Sequence, residues 1–98
     1  MIDVLNLIDG ELCPARNGGW IVGHEPATGR VFARIADSDA ADVDAAVAAA
    51  EKALPGWTAL GREGRSNVLL KLAALIERDL EAFAEAESRD NGKPVHLA

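Results

Sequence analysis

Few side chains in this sequence are suited to chemistry. Cys13 is the single thiol, and His24 and His96 are the two histidines. A nucleophilic cysteine needs a neighbouring cation, a helix N-terminus or a paired histidine to lower its pKa. Cys13 stands instead between Leu12 and Pro14 with Glu11 close by, so it reads as structural. Neither histidine has metal-ligand spacing with the other or with Cys13, which argues against zinc and puts both on the surface or in loops. Gly18-x4-Gly23 and Gly56-x4-Gly61 share the outer spacing of a phosphate loop. Neither is followed by Lys-Ser/Thr or joins a strand directly to a helix, and no G-x-G-x-x-G occurs, so no nucleotide loop is expected. Asp39, Asp42, Asp44, Glu77, Glu81, Glu85 and Glu87 read as solvated helix faces and dipole complements rather than a convergent acid–base pair. Arg65 shares a face with Leu69, Leu72 and Ile76; it either snorkels at a helix start or pairs with an acid on the neighbouring helix.

The elements that would position these groups fall into two regions, a β-hairpin region over 1–36 and a helical region over 37–98. Asp9-Gly10, between Val4–Ile8 and Glu11–Cys13, is a strong two-residue hairpin signal, and Pro14 ends the second arm. After the Asn17-Gly18-Gly19 loop, Trp20–Val22 and Val31–Ile35 flank the tight-turn pattern Glu25-Pro26-Ala27-Thr28-Gly29, giving a second hairpin. Ser38 or Asp39 then caps a helix whose stripe is Val43, Val47, Ala50 and Leu54. Pro55-Gly56 is expected to end it, with a loop through Trp57 to Gly61. Helical spacing resumes from about Arg62 to Asp90, with Leu69, Leu72, Ala73, Ile76, Leu80 and Phe83 on one face and Leu70 and Leu75 adding a second. Unbroken, that helix would be ~43 Å long, against ~34 Å for a compact globule of this size. It therefore breaks, near Arg78-Asp79, or leans on further protein. Asn91-Gly92, Lys93 and Pro94 make a left-handed stop, a cation at the helix end and a block to continuation.

Composition narrows the function classes. A net charge of −6 and a pI near 4.7 argue against nucleic acid as a partner. No apolar run approaches the ~20 residues that span a bilayer, and no basic, apolar leader opens the chain, so a cytoplasmic location is expected. Nineteen of the 98 residues are alanine and only four are aromatic, which makes a thin core for a self-standing domain. The helices make better sense as cladding for a sheet supplied by a longer polypeptide. The sequence reads as the opening portion of something larger.

In order and spacing, the pieces resemble the amino-terminal segment of the NAD(P)-dependent aldehyde dehydrogenase superfamily. The matching blocks are Ile8–Glu11, Pro26–Gly29, Asp42–Val47, Trp57, Arg65 with Leu69 and Leu70, Leu72–Arg78, and Asp90–Pro94. The resemblance runs from about Leu5 to Pro94. It implies an α/β fold: part of a Rossmann-type cofactor domain, with N-terminal hairpins followed by two to three helices. It further implies an enzyme that oxidises an aldehyde to a carboxylic acid with NAD or NADP. Its catalytic cysteine, general-base glutamate and cofactor loop lie outside the matched segment, so Cys13 inherits no role and no catalytic or cofactor residue is assigned. Some relatives hold a structural monovalent cation on backbone oxygens before the Pro-Ala-Thr-Gly turn and on the aspartate of Asp-Asn-Gly-Lys-Pro; Gly23, His24 and Asp90 match those places, and oxygen ligands suit a hard cation. Glu25 replaces the usual asparagine before that turn. Glu87–Asp90 and Val31–Ile35 resemble the branch acting on muconic semialdehydes. The implied partners are the rest of the enzyme or a homologous subunit, in an oligomer. A second expectation is a free-standing acidic interaction module built on the same scaffold.

Overall fold

A computed structural model describes residues 1–98. Its strands occupy the first third of the chain: β1 (Ile2–Val4), β2 (Asn6–Ile8), β3 (Glu11–Cys13), β4 (Trp20–His24) and β5 (Val31–Ala36). β2 and β3 form the expected first hairpin, with Asp9 at φ 54° and Gly10 at φ 75°, the double positive φ of a tight two-residue turn. β4 and β5 form the second, antiparallel from Trp20 opposite Ala36 to His24 opposite Val31, with an irregularity at Gly23/His24. The first arm departs from expectation. Val4 belongs to a separate strand, β1, which pairs parallel with β5 and gives the sheet order β1-β5-β4. Parallel pairing across some thirty residues leaves no local signature, whereas a hairpin turn does.

Asp39 starts α1 (Ala40–Ala59) with a capping box: its side chain accepts from the Ala41 amide, and Asp42 reaches back to the Asp39 amide. The expected stop at Pro55-Gly56 is wrong, and so is the loop after it. α1 runs through Pro55 to Ala59. Proline removes one i→i−4 bond, but Glu51, whose carbonyl would have received it, lies on an exposed turn where water can take its place. The effective break is at Gly61, whose φ of 72° turns the chain out of the path of α1 and makes it the first residue of the next helix. That helix is α2 (Gly61–Arg78), followed by the expected break at Asp79 (φ −104°, ψ 22°), then α3 (Leu80–Asn91). Gly92 at φ 79° closes α3 in the left-handed conformation, its amide donating to the Ser88 carbonyl. A 3-10 turn follows at Val95–Leu97.

These elements enclose almost nothing. Only Ala15, Ala33, Ala36 and Asp42 are buried, and no large side chain is fully covered. The molecule measures 48 × 36 × 15 Å, and its thinnest dimension scarcely exceeds one helix with its side chains. Its radius of gyration, 16.8 Å, compares with about 13 Å for a compact domain of this length. The accessible surface is 7522 Å², about 2,200 Å² more than a compact monomer of equal mass presents. A single layer cannot bury its own apolar stripe.

Candidate functional site

Two clusters of side chains bring distant parts of the chain together. The first surrounds Asp42. Its carboxylate accepts hydrogen bonds from the backbone amides of Asp39 and Arg16, each at 3.1 Å, while the residue is nearly inaccessible to solvent. Those two amide donors outweigh the opposing cost of desolvation and hold the Asp42 carboxyl below the usual carboxylate range. Beside it, the Asn17 side chain accepts from the Gly19 amide at 2.7 Å. The β3–β4 connection is thereby tied to the first turn of α1. The expectation that Asp42 is a solvated dipole complement is corrected: it is a buried tie. The Asp39-x-x-Asp42 spacing was the available signal, while the partner at Arg16 had none.

The second cluster sits where the last turn of α3 meets the β4–β5 turn. Arg89 places Nε 2.9 Å from Glu25 Oε1, with its guanidinium 5.9 Å from the centre of the Phe32 ring. Thr28 Oγ1 donates to the other oxygen of Glu25 at 2.9 Å. A Cβ at Gly92 would lie 3.4 Å from Pro26, an ordinary contact, so it is the positive φ that calls for glycine at this corner. Glu25 thus closes its own turn and also reaches across to the helix. Asp90 lies in that same last turn, and Gly23 and His24 end β4 just before Glu25; Asp90 and His24 are exposed. A concavity of about 400 Å³ lies alongside, lined by Ile2, Glu25, Ala27, Ala86, Arg89 and Val95 among others.

The remaining candidates stay apart. Cys13 is a half-buried free thiol on β3 opposite Asn6, and His96 is exposed in the 3-10 turn. No three His, Cys, Asp or Glu side chains converge as a metal site. Arg65 joins its helix to the neighbouring one, though through a carbonyl and not an acid. Its guanidinium donates to the Thr58 carbonyl at 3.1 Å, bracing the last turn of α1 against α2. Arg34 is fixed between Asp3, to which it donates twice (2.7 and 3.0 Å), and the Trp20 ring, whose centre is 4.0 Å away. The paired Asp3 carboxyl is lowered and the Arg34 guanidinium raised, first through those hydrogen bonds.

Two places that could attract an anion are already taken up by carboxylates or by a paired charge. The N-terminus of α1, a kind of place that favours anions, is occupied by the carboxylates of Asp39 and Asp42. The concavity beside α3 offers Arg89, already engaged by Glu25, and adds the carboxylate of Glu85. The geometry defines a hairpin layer tied to splayed helices.

Comparison with known proteins gives this arrangement a family. A profile of the aldehyde dehydrogenase family matches residues 15–98. The chain is 42% identical over 93 residues to the 2-aminomuconic semialdehyde dehydrogenase of Homo sapiens, covering 95% of this chain and 19% of that protein. It is 43% identical over 90 residues to an aldehyde dehydrogenase of Deinococcus radiodurans, covering 92% and 18% respectively. Among solved structures, PnpE from Pseudomonas sp. WBC-3 superposes with a TM-score of 0.91 at 46% identity, over 97% of this chain and 19% of that one. PnpE has also been crystallised with nicotinamide adenine dinucleotide. An aldehyde dehydrogenase from Bacillus cereus superposes at 0.94 with 36% identity, over 98% and 20%. The chain belongs to the aldehyde dehydrogenase family, and it spans about a fifth of the length of the relatives it matches.

Proposed function

We propose that these residues form the N-terminal scaffold segment of an NAD(P)-dependent aldehyde dehydrogenase of the cytoplasm. The complete enzyme oxidises an aldehyde, of the muconic semialdehyde class, to its carboxylic acid. The observation that carries the reading is the single-layer architecture: a fold like that of complete relatives, with its apolar stripes uncovered. In the whole protein the segment clads the cofactor domain and sets its edge against a neighbouring subunit of the oligomer. Isolated, it oxidises nothing. The substrate class is supported by the likeness to 2-aminomuconic semialdehyde dehydrogenases. Asp90, with backbone oxygens of Gly23 and His24, holds a monovalent cation in the complete enzyme. The meeting of α3 with the end of β4 through Arg89 and Glu25 supports that placement.

The test joins these residues to the remainder of PnpE in one chain and measures NAD binding beside the 98 residues alone. The fused chain binds NAD and the isolated chain does not; NADH formation from an aldehyde by the purified 98 residues would overturn the reading. A monodisperse monomer that melts cooperatively would favour a free-standing interaction module instead.

A further inference from the structure

We propose that Asn91 is a site of spontaneous deamidation, converted in the folded chain to aspartate or isoaspartate, and that the Arg89–Glu25 pair governs how often the site opens. The chemistry belongs to the 98 residues themselves and needs no other part of the enzyme.

An asparagine followed by glycine is the pair most prone to this reaction, because glycine leaves its amide unshielded and the backbone free to turn. The chain has two such pairs, Asn17-Gly18 and Asn91-Gly92, both exposed. The glycine nitrogen gives up its proton to base and attacks Cγ of the asparagine; the Cγ–Nδ2 bond breaks and ammonia leaves. The cyclic imide that results takes up water at either carbonyl and opens to aspartate or to isoaspartate. Nothing is oxidised or reduced, and water is the only co-reactant.

Both attacking nitrogens are engaged in the structure: Gly18 donates to the Ala15 carbonyl and Gly92 to the Ser88 carbonyl, each at 2.9 Å. Reaction therefore waits on local opening, and the two pairs are held shut differently. The Asn17 Oδ1 accepts from the Gly19 amide at 2.7 Å, and its Nδ2, the leaving nitrogen, donates to the Asp37 carbonyl and to Asp39 Oδ2, each at 3.4 Å. The Arg16 amide just before it is bound to the buried Asp42. Asn91 is the last residue of α3, and its side chain makes a single bond within the chain, accepting from the Lys93 amide at 2.8 Å. Element ends are where opening costs least. What ties this last turn to the strands is the ion pair of Arg89 with Glu25. Reaction at Asn91 changes the corner. It adds a negative charge beside Asp90 at the C-terminal end of α3, the end that disfavours anions. Isoaspartate also lengthens the main chain immediately before Gly92, whose φ of 79° closes the helix.

The experiment incubates the 98 residues at mildly alkaline pH, folded and in concentrated urea, and follows aspartate and isoaspartate at both sites by peptide mapping with mass spectrometry. In urea, where local sequence sets the rates, the sites react within about twofold of each other; folded, Asn91 outpaces Asn17 by at least about tenfold. Glu25→Gln keeps the shape of the side chain and removes the charge paired with Arg89; it speeds Asn91 by about two- to fivefold and leaves Asn17 unchanged. Asp42→Ala does the reverse, speeding Asn17 by about tenfold while Asn91 keeps its rate. Equal rates at the two sites in the folded chain, or a faster Asn17, would overturn the assignment. A Glu25→Gln chain in which Asn91 is unchanged, or in which both sites speed up alike, would overturn the gating role of the pair.

Discussion

The strand region and the helical region of this chain solve their packing in opposite ways. Residues 2–36 satisfy one another. β5 is hydrogen-bonded on both sides by β1 and β4, Arg34 is held by Asp3 and Trp20, and Asp42 fastens the connection after β3 to α1. Residues 40–91 meet mainly at their joints: Arg65 on Thr58 at the α1–α2 elbow, and Arg78 on Asp79 where α2 gives way to α3. The helices expose the apolar stripes that the hairpins cannot cover. Backbone pairing stabilises a small sheet locally, whereas an amphipathic helix draws most of its stability from the surface it lies against. Under the proposed reading, the contrast marks the helical region as the part that leans on the rest of the enzyme.

The largest effect that would sharpen this contrast is one of opposite sign in two settings. Leu72→Asp in the complete enzyme puts a charge into a covered interface and costs upward of about 3 kcal/mol, abolishing the folded enzyme. In the isolated 98 residues the same substitution reduces self-association and leaves helix content unchanged, as size exclusion and circular dichroism would record.

Next comes Asp42→Ala, which leaves the Arg16 and Asp39 amides without their acceptor. Hydrogen exchange around residues 14–18 and in the first turn of α1 rises about tenfold, with α2 and α3 unaffected. The same group governs a pH response. Because the folded-state pKa of Asp42 is depressed, its contribution is complete above the unfolded value near pH 4 and is lost as pH falls through the folded value. Acidification from pH 6 to pH 3 therefore loosens the join between strands and helices, and Asp42→Asn removes that part of the dependence. Amide exchange followed across the pH range would check it.

A smaller change follows from Gly61→Ala. An L side chain at φ 72° costs about 1 kcal/mol, so exchange over residues 58–64 increases roughly fivefold as the elbow opens. Smallest of all is Asp3→Asn. The Asp3–Arg34 pair lies in water, so sheet amides shift by less than about fivefold even though both hydrogen bonds are good ones.

Much of this was legible in the sequence, because the responsible signals are local. Asp9-Gly10, Pro26 to Gly29, Asp39 and Gly92 each dictate a backbone conformation within a few residues, and the elements they bound are those found. The length argument left two options, a break near Arg78-Asp79 or support from further protein, and the break is the one found at Asp79. What escaped was whatever depends on a distant partner or on a competition between preferences. β1 pairs with a strand thirty residues away. Pro55 lowers helix propensity without ending the helix, because Gly61 is the stronger stop and lies only six residues on. Arg65 and Asp42 serve backbone groups, Thr58 and Arg16, whose proximity no spacing announces. The corner of Glu25, Arg89 and Phe32 is likewise a product of the fold.

Differential scanning calorimetry of the purified 98 residues addresses most directly whether a chain with so little interior can hold itself together. The account predicts no cooperative transition, only a broad featureless trace from secondary structure melting piecemeal. A single sharp peak carrying about 70 kcal/mol, the enthalpy of an ordinary domain of this length, would contradict it.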